Sequence, residues 1–277
     1  MRLKLKLKIN RTIAGYGLAG VLILSIMLYL RFPGDIIKDY IITAIAARNP
    51  DAVLTMGSVS PSFPPGISFT NVTLGFRDNP TATLQVQKAT LSVDYLGFFQ
   101  GRWDALLEGN AYGGILTGHI PLSGEPKGEW AVNNIPLEKI AYLKERLHRQ
   151  MIGKLKGTFK YKGSFLNAAG GSAQIGFTIA GGVYPLLAPF AGIDKLEFTR
   201  IDGEMALQNG TLKITKFKLT GDKVRCDLTG QIGLNLLDME SSTLELLSVI
   251  DIPGQQGRKL NLAIAGTVGN PAVRIGP

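Results

Sequence analysis

The 277-residue sequence contains one cysteine, Cys226, and two histidines, His119 and His148. A lone cysteine excludes an intramolecular disulfide. Between Arg225 and Asp227, in a strand-like run, it reads as a small buried or half-buried side chain. Two histidines leave any metal site dependent on the scattered acids for a third ligand, and no spacing rule pairs them. No Walker loop, G-x-S-x-G or S-x-x-K motif occurs. Asp202 and Glu204 are close in sequence but sit at a turn-like stretch, where solvated carboxylates are the ordinary case. These absences argue against an enzyme. No catalytic, cofactor-binding or metal-binding residue is assigned, and no cofactor is expected.

Charge of one sign is also scarce outside the amino terminus. The net charge is +9, yet six of the 30 basic residues stand in the first 31 positions, with no acid among them. The remainder carries 24 basic against 21 acidic residues, an ordinary surface balance. No clustered basic face marks a nucleic-acid partner.

Thr12–Leu30, TIAGYGLAGVLILSIMLYL, is a run of 19 residues without a charge. At about 1.5 Å per residue it extends roughly 28 Å, close to the thickness of a bilayer's hydrocarbon core. Five positive charges precede it and place residues 1–11 in the cytoplasm as a basic tail. The run ends in LYLRFPGD, not in a small-x-small cleavage site, so it reads as an uncleaved transmembrane helix over 12–30. GYGLAG, 15–20, matches a dinucleotide-binding fingerprint, but the lysine-alternating LKLKLKI before it is no buried parallel strand. Residues 31–50 follow as a juxtamembrane amphipathic helix. Its apolar stripe is Ile37, Ile41, Ala44 and Ile45, with Asp35 as the expected cap and Asn49-Pro50 as the stop.

The body is rich in turn formers, with 34 glycines, and alternates in short apolar runs. One motif recurs: an apolar pair, two polar residues, then a second apolar pair. It appears as Ile67, Phe69, Val72, Leu74; as Leu84, Val86, Ala89, Leu91; and as Leu212, Ile214, Phe217, Leu219. Leu196, Phe198, Ile201 with Gly203 is a weaker fourth. The first two copies begin 17 residues apart and the last two 16, while matching members of the pairs are 129 and 128 residues apart. That placement predicts two similar β halves, 51–135 and 153–277, joined by a linking helix over 136–152. The helix carries Leu137, Ile140, Leu143, Leu147 and Met151 on one stripe.

Side chains in a strand alternate faces, so two polar residues in succession should turn the second apolar pair outward. A β-bulge absorbs the extra residue and keeps both pairs inward, and repeated bulges should curl the sheet. Lys213, Lys216 and Lys218 then line the wet face. The expected fold is mainly β: a transmembrane helix, then a curled, bulged antiparallel sheet with one or two amphipathic helices. Strands are expected near 52–59, 104–112, 114–120, 128–134, 155–163, 172–180, 223–234, 242–249, 259–268 and 271–275. GGVYPLLAPFAG, 181–192, is apolar and reads either as a loop plugging the sheet end or as a lipid- or partner-facing lip. The candidate core or groove residues are Ile67, Phe69, Val72, Leu74, Leu84, Val86, Leu91, Leu196, Phe198, Leu212, Ile214, Phe217 and Leu219.

AYGGILTGHI at 111–120, the glycine-punctuated run 201–236, SSTLELLSVID at 241–251 and GTVGNPAVRI at 266–275 give the chain a family likeness. It resembles protein N of bacterial type II secretion systems, in the form whose body is similar to AsmA-like envelope proteins. The likeness spans most of residues 10–277. It implies an inner-membrane protein with a cytoplasmic amino terminus and a periplasmic body, working with other type II secretion components. The AsmA-like kinship implies an alternative, a lipid-binding or lipid-transfer module with phospholipid as the partner.

Overall fold

The computed structural model describes residues 11–63, 66–123, 127–163, 171–190, 193–235, 238–253 and 259–275. The apolar run folds as helix α1 (Arg11–Leu30) of 20 residues. Among the described residues no helix is long and apolar enough to cross a membrane. The side chains of Leu18, Val21, Leu22, Leu24 and Leu28, much of the apolar content of the run, lie outside the described set. The membrane span thus rests on the sequence.

Helix α2 (Gly34–Arg48) follows. Pro33 occupies its N-cap without a side-chain hydrogen bond, so Asp35 is not the cap; it sits in the first turn, where its charge favours the helix dipole. The helix lies against β1 (Ala52–Thr55) and β2 (Val59–Ser62). Gly34 packs on Val59, where a Cβ would collide with the carbonyl oxygen, and the Lys38 Nζ donates to the Gly57 carbonyl at 3.1 Å. The strand expected over 52–59 is thus two pieces, broken around Gly57.

Thirteen further strands complete one antiparallel sheet of 15. They are β3 (Gly66–Phe76), β4 (Leu84–Val93), β5 (Asp104–Ala111), β6 (Gly114–Pro121), β7 (Lys127–Pro136) and β8 (Ile152–Lys162). The series continues with β9 (Ser172–Phe190), β10 (Ile193–Gln208), β11 (Thr211–Thr220), β12 (Arg225–Gly233), β13 (Thr243–Asp251), β14 (Lys259–Thr267) and β15 (Pro271–Ile275). Each strand from β3 onward pairs with its sequence neighbour, and β1 and β2 both pair with β3. The tight turns explain this meander. Tyr112-Gly113 and Asn209-Gly210 both have positive φ at each residue, the geometry of the hairpin turn whose twist matches paired strands. Because β7 pairs with β8 across the linker, both expected halves lie in one sheet.

Three expectations need correction. The linking helix over 136–152 is shorter: a 3-10 turn (Leu137–Lys139) and α4 (Ala141–Leu147). Pro136 both ends β7 and is the N-cap residue of the 3-10 turn, and His148 leaves α4 in the left-handed conformation. Residues 181–190, read as a plug or lip, extend β9; Pro185 pairs with Lys195 and Phe190 with Ile193. Finally, the sheet is neither closed nor strongly curled. Register shifts occur in the successive pairs from β7 to β12 and none among β12, β13, β14 and β15, so the bulges are confined to part of the sheet rather than repeated along it.

Candidate functional site

The bulge itself is present in β11. Ile214 pairs with Met205 and Phe217 with Gly203, so Thr215 is the surplus residue against β10. Against β12, Ile214 pairs with Gly230 and Phe217 with Leu228, leaving two residues opposite Thr229. The Thr215 hydroxyl donates to the Glu204 carbonyl at 2.9 Å and ties the bulge to its neighbour. Ile214 and Leu219 are buried and Leu212 and Phe217 half-buried, whereas Lys213, Thr215, Lys216 and Lys218 are all exposed.

The other copies show no register shift at their spacers. In the β3–β4 pair Phe69 faces Ala89 and Val72 faces Val86 in one unbroken register, with Asn71 at φ 48° between them. In β10, Phe198 and Ile201 share one core cluster although an unbroken strand would put them on opposite faces. A second register shift at a two-residue polar spacer lies in β7, between Val132 and Ile135 at Asn133-Asn134. Ala131 occupies a position that is polar in the other copies, which hid it in the sequence.

Cross-strand pairing joins the apolar residues into rows across the strands. One row passes through Leu91, Leu107, Gly118, Trp130, Phe159, Ile175, Met205, Ile214, Gly230, Leu246, Ile264 and Val273 by successive cross-strand pairing. A parallel row holds Ile135, Leu155, Ile179, Ile201, Leu219 and Cys226. The 3-10 turn and α4 lay Leu137, Ile140, Tyr142 and Leu143 on the second row. The cover does not complete the burial. Of the candidate residues, Phe198, Ile214 and Leu219 are buried; Ile67, Phe69, Val72, Leu74, Val86, Leu91, Leu196, Leu212 and Phe217 are half-buried, and Leu84 is 36% exposed. A cavity of about 720 Å³ opens between β11 and β14, lined in part by Ile214, Gly230, Leu246 and Ile264.

The opposite face is mainly polar, with Leu247 and Val249 of β13 as exposed apolar exceptions. Lys160 pairs with Glu129 at 2.7 Å, Lys216 with Glu204 at 3.4 Å and Arg200 with Asp202 at 2.7 Å. The Thr178 hydroxyl and then Arg200 hold the Asp202 carboxyl below its ordinary pKa. Burial pushes the Cys226 thiol up, offset by the Ser248 hydroxyl at 3.2 Å. The lysines therefore belong to a solvated face.

Folding does gather one set of metal-ligating side chains that the sequence did not reveal. Asp94, Asp104 and His119 bring donor atoms within 4.8 Å of one another. The β5–β6 pairing places His119 diagonally from Asp104, and the Asp94 N–H donates to the Asp104 carbonyl. Each has a structural role: Asp94 accepts the Gly97 N–H at 3.0 Å as the cap of α3 (Tyr95–Phe99), and Asp104, buried, contacts His119 at 3.3 Å. Around them lies a cavity of about 470 Å³ bordered by Arg102, Trp103, Glu129 and Lys160. His148, exposed beyond α4, is apart from this group.

No family model, curated protein or solved structure matches this chain. The assignment of function therefore rests on sequence pattern and geometry.

Proposed function

We propose that the chain is a membrane-anchored, periplasmic subunit of a type II secretion system that serves protein export as a structural and interaction component. The α1 run is its inner-membrane anchor, with residues 1–11 in the cytoplasm. The observation that carries the reading is the open edge of the sheet. β15 pairs only with β14 among the described residues, and Pro271, Ala272, Val273, Arg274 and Ile275 are all exposed. Such an edge accepts a strand from a neighbouring subunit through main-chain hydrogen bonds. The test is a deletion strain complemented with the parent or with Val273→Pro. Loss of export on deletion, with poor rescue by the proline variant, supports the reading; normal export in the deletion strain refutes it.

The incompletely covered apolar face favours a second reading, an AsmA-like module that shields lipid acyl chains. Rows of half-buried Leu, Ile and Phe offer a continuous apolar surface, whereas a self-sufficient core would be closed over. Native mass spectrometry of the detergent-purified chain distinguishes the two. Bound phospholipid displaced by Leu246→Gln supports lipid shielding; a lipid-free protein rejects it.

A further inference from the structure

The end of the sheet at which the amino-terminal helices enter is ringed by exposed aromatic and aliphatic side chains. Phe63 is 94% exposed, Phe99 84%, Leu96 78%, Leu122 59% and Trp103 52%. They form one rim. Phe63 follows Ser62, whose hydroxyl lies beside Gly66, and Gly66 pairs with Ser92 two residues before the cap of α3. Within the rim, the Phe98 and Trp103 rings meet edge-to-face at 4.7 Å, and the Leu122 N–H donates to the Trp103 carbonyl at 2.7 Å. Gly34, the start of α2, packs on Val59 of β2, three residues before Ser62. The chain leaving α1 thus arrives at the same end of the strands.

We infer that this rim is a membrane-interface seat: the body rests on the bilayer surface with Phe63, Leu96, Phe99 and Trp103 in the headgroup layer. Apolar side chains gathered at one exposed end in this way mark an interaction site. Trp and Phe beside Arg102 and Lys127, both exposed, match the chemistry of an interfacial belt on anionic lipid. Proximity to the anchor selects lipid over a protein partner, because a helix ending at this edge holds the rim within reach of the surface. The inference rests on α1 being the anchor.

The chain has two tryptophans, Trp103 and Trp130, which makes the test direct. The full chain carrying Trp130→Phe is reconstituted in phosphatidylcholine–phosphatidylglycerol vesicles whose acyl chains are brominated near the headgroup. Trp103 emission should lose most of its intensity relative to unbrominated vesicles, and the added pair Leu96→Ser, Phe99→Ser should restore most of it. If Trp130→Phe does not fold, the difference between the parent and Trp103→Phe reports the same residue. Carbonate extraction of the vesicles separates the two ideas. A chain that resists extraction while Trp103 stays unquenched keeps its anchor and overturns the seat. A chain that is extracted overturns the anchor and the seat together. Trp103 unquenched by lipid but shielded on adding other secretion components identifies a protein surface and also overturns the seat.

Discussion

Deleting Thr215 removes the surplus residue of the β11 bulge without touching an apolar side chain. One of two pairs, Leu212 with Ile214 or Phe217 with Leu219, must then turn to the polar face, and a lysine must turn inward in its place. Ile214 is 5% and Leu219 6% exposed in the parent. Full burial of such a side chain contributes about 1.5–3 kcal/mol, so losing one pair, of which one member is buried and the other half-buried, costs roughly 2–4.5 kcal/mol before the inward lysine is counted. Domain stabilities are about 5–15 kcal/mol, so the deletion should leave the body marginal or unfolded. The control is Lys216→Ala, which keeps the length and removes an exposed pair with Glu204 worth about 0–1 kcal/mol. Urea unfolding of the full chain in detergent, followed by circular dichroism, reads both. A deletion variant within about 1 kcal/mol of the parent, with the same denaturant slope, would refute the reasoning.

Three further outcomes follow from the geometry. Gly203 lies beneath the Phe177 ring, so Gly203→Val should displace that ring and cost on the order of 1–3 kcal/mol, read as a lower urea midpoint; an unchanged midpoint shows that the ring moves freely. Asp202 has a lowered folded pKa, so its stabilisation is present above the unfolded value of about 3.9 and is lost as pH falls through the folded one. Acidification from about pH 5 to pH 3 should therefore destabilise the parent more than Asp202→Asn; parallel pH profiles would contradict this. Cys226, half-buried with a raised pKa, should react with a thiol reagent far more slowly in the native chain than in urea, and its rate should still rise above the pH where free cysteine levels off. Equal native and unfolded rates would place it in solvent.

The strands were legible because alternation and glycine turns act locally. β15 matches its expected span, and β5 and β6 differ from theirs by a single residue each. The β11 bulge was legible because a two-residue polar spacer between apolar pairs has few other physical readings, whereas the same spacer in β3, β4 and β10 carries no register shift. β7 escaped because Ala131 blurs the pattern. The linking helix was overestimated because the stripe from Leu137 to Met151 fits both a long helix and a short broken one. Tertiary packing decided: Leu137 and Ile140 reach the core from the 3-10 turn and its end. The two prolines of 181–190 suggested a loop, but strand pairing with β10 outweighs the hydrogen bonds they cannot donate. Degree of curl was not legible, since sequence marks where a strand bulges but not how bends add across strands. The Asp94–Asp104–His119 group was hidden for the same reason: only strand pairing brings it together.

The central claim is that the bulges hold the apolar residues of a one-sided open sheet on a single face. Cysteines placed singly at 214, 216, 218 and 219 in a Cys226→Ser background test it, with labelling of the folded chain by a water-soluble maleimide as the readout. Fast reaction at 216 and 218 with protection at both 214 and 219 is the predicted result. Protection at 214 with fast reaction at 219, or the reverse, would mean that the strand runs unbroken through Thr215 and Lys216, and would contradict the account.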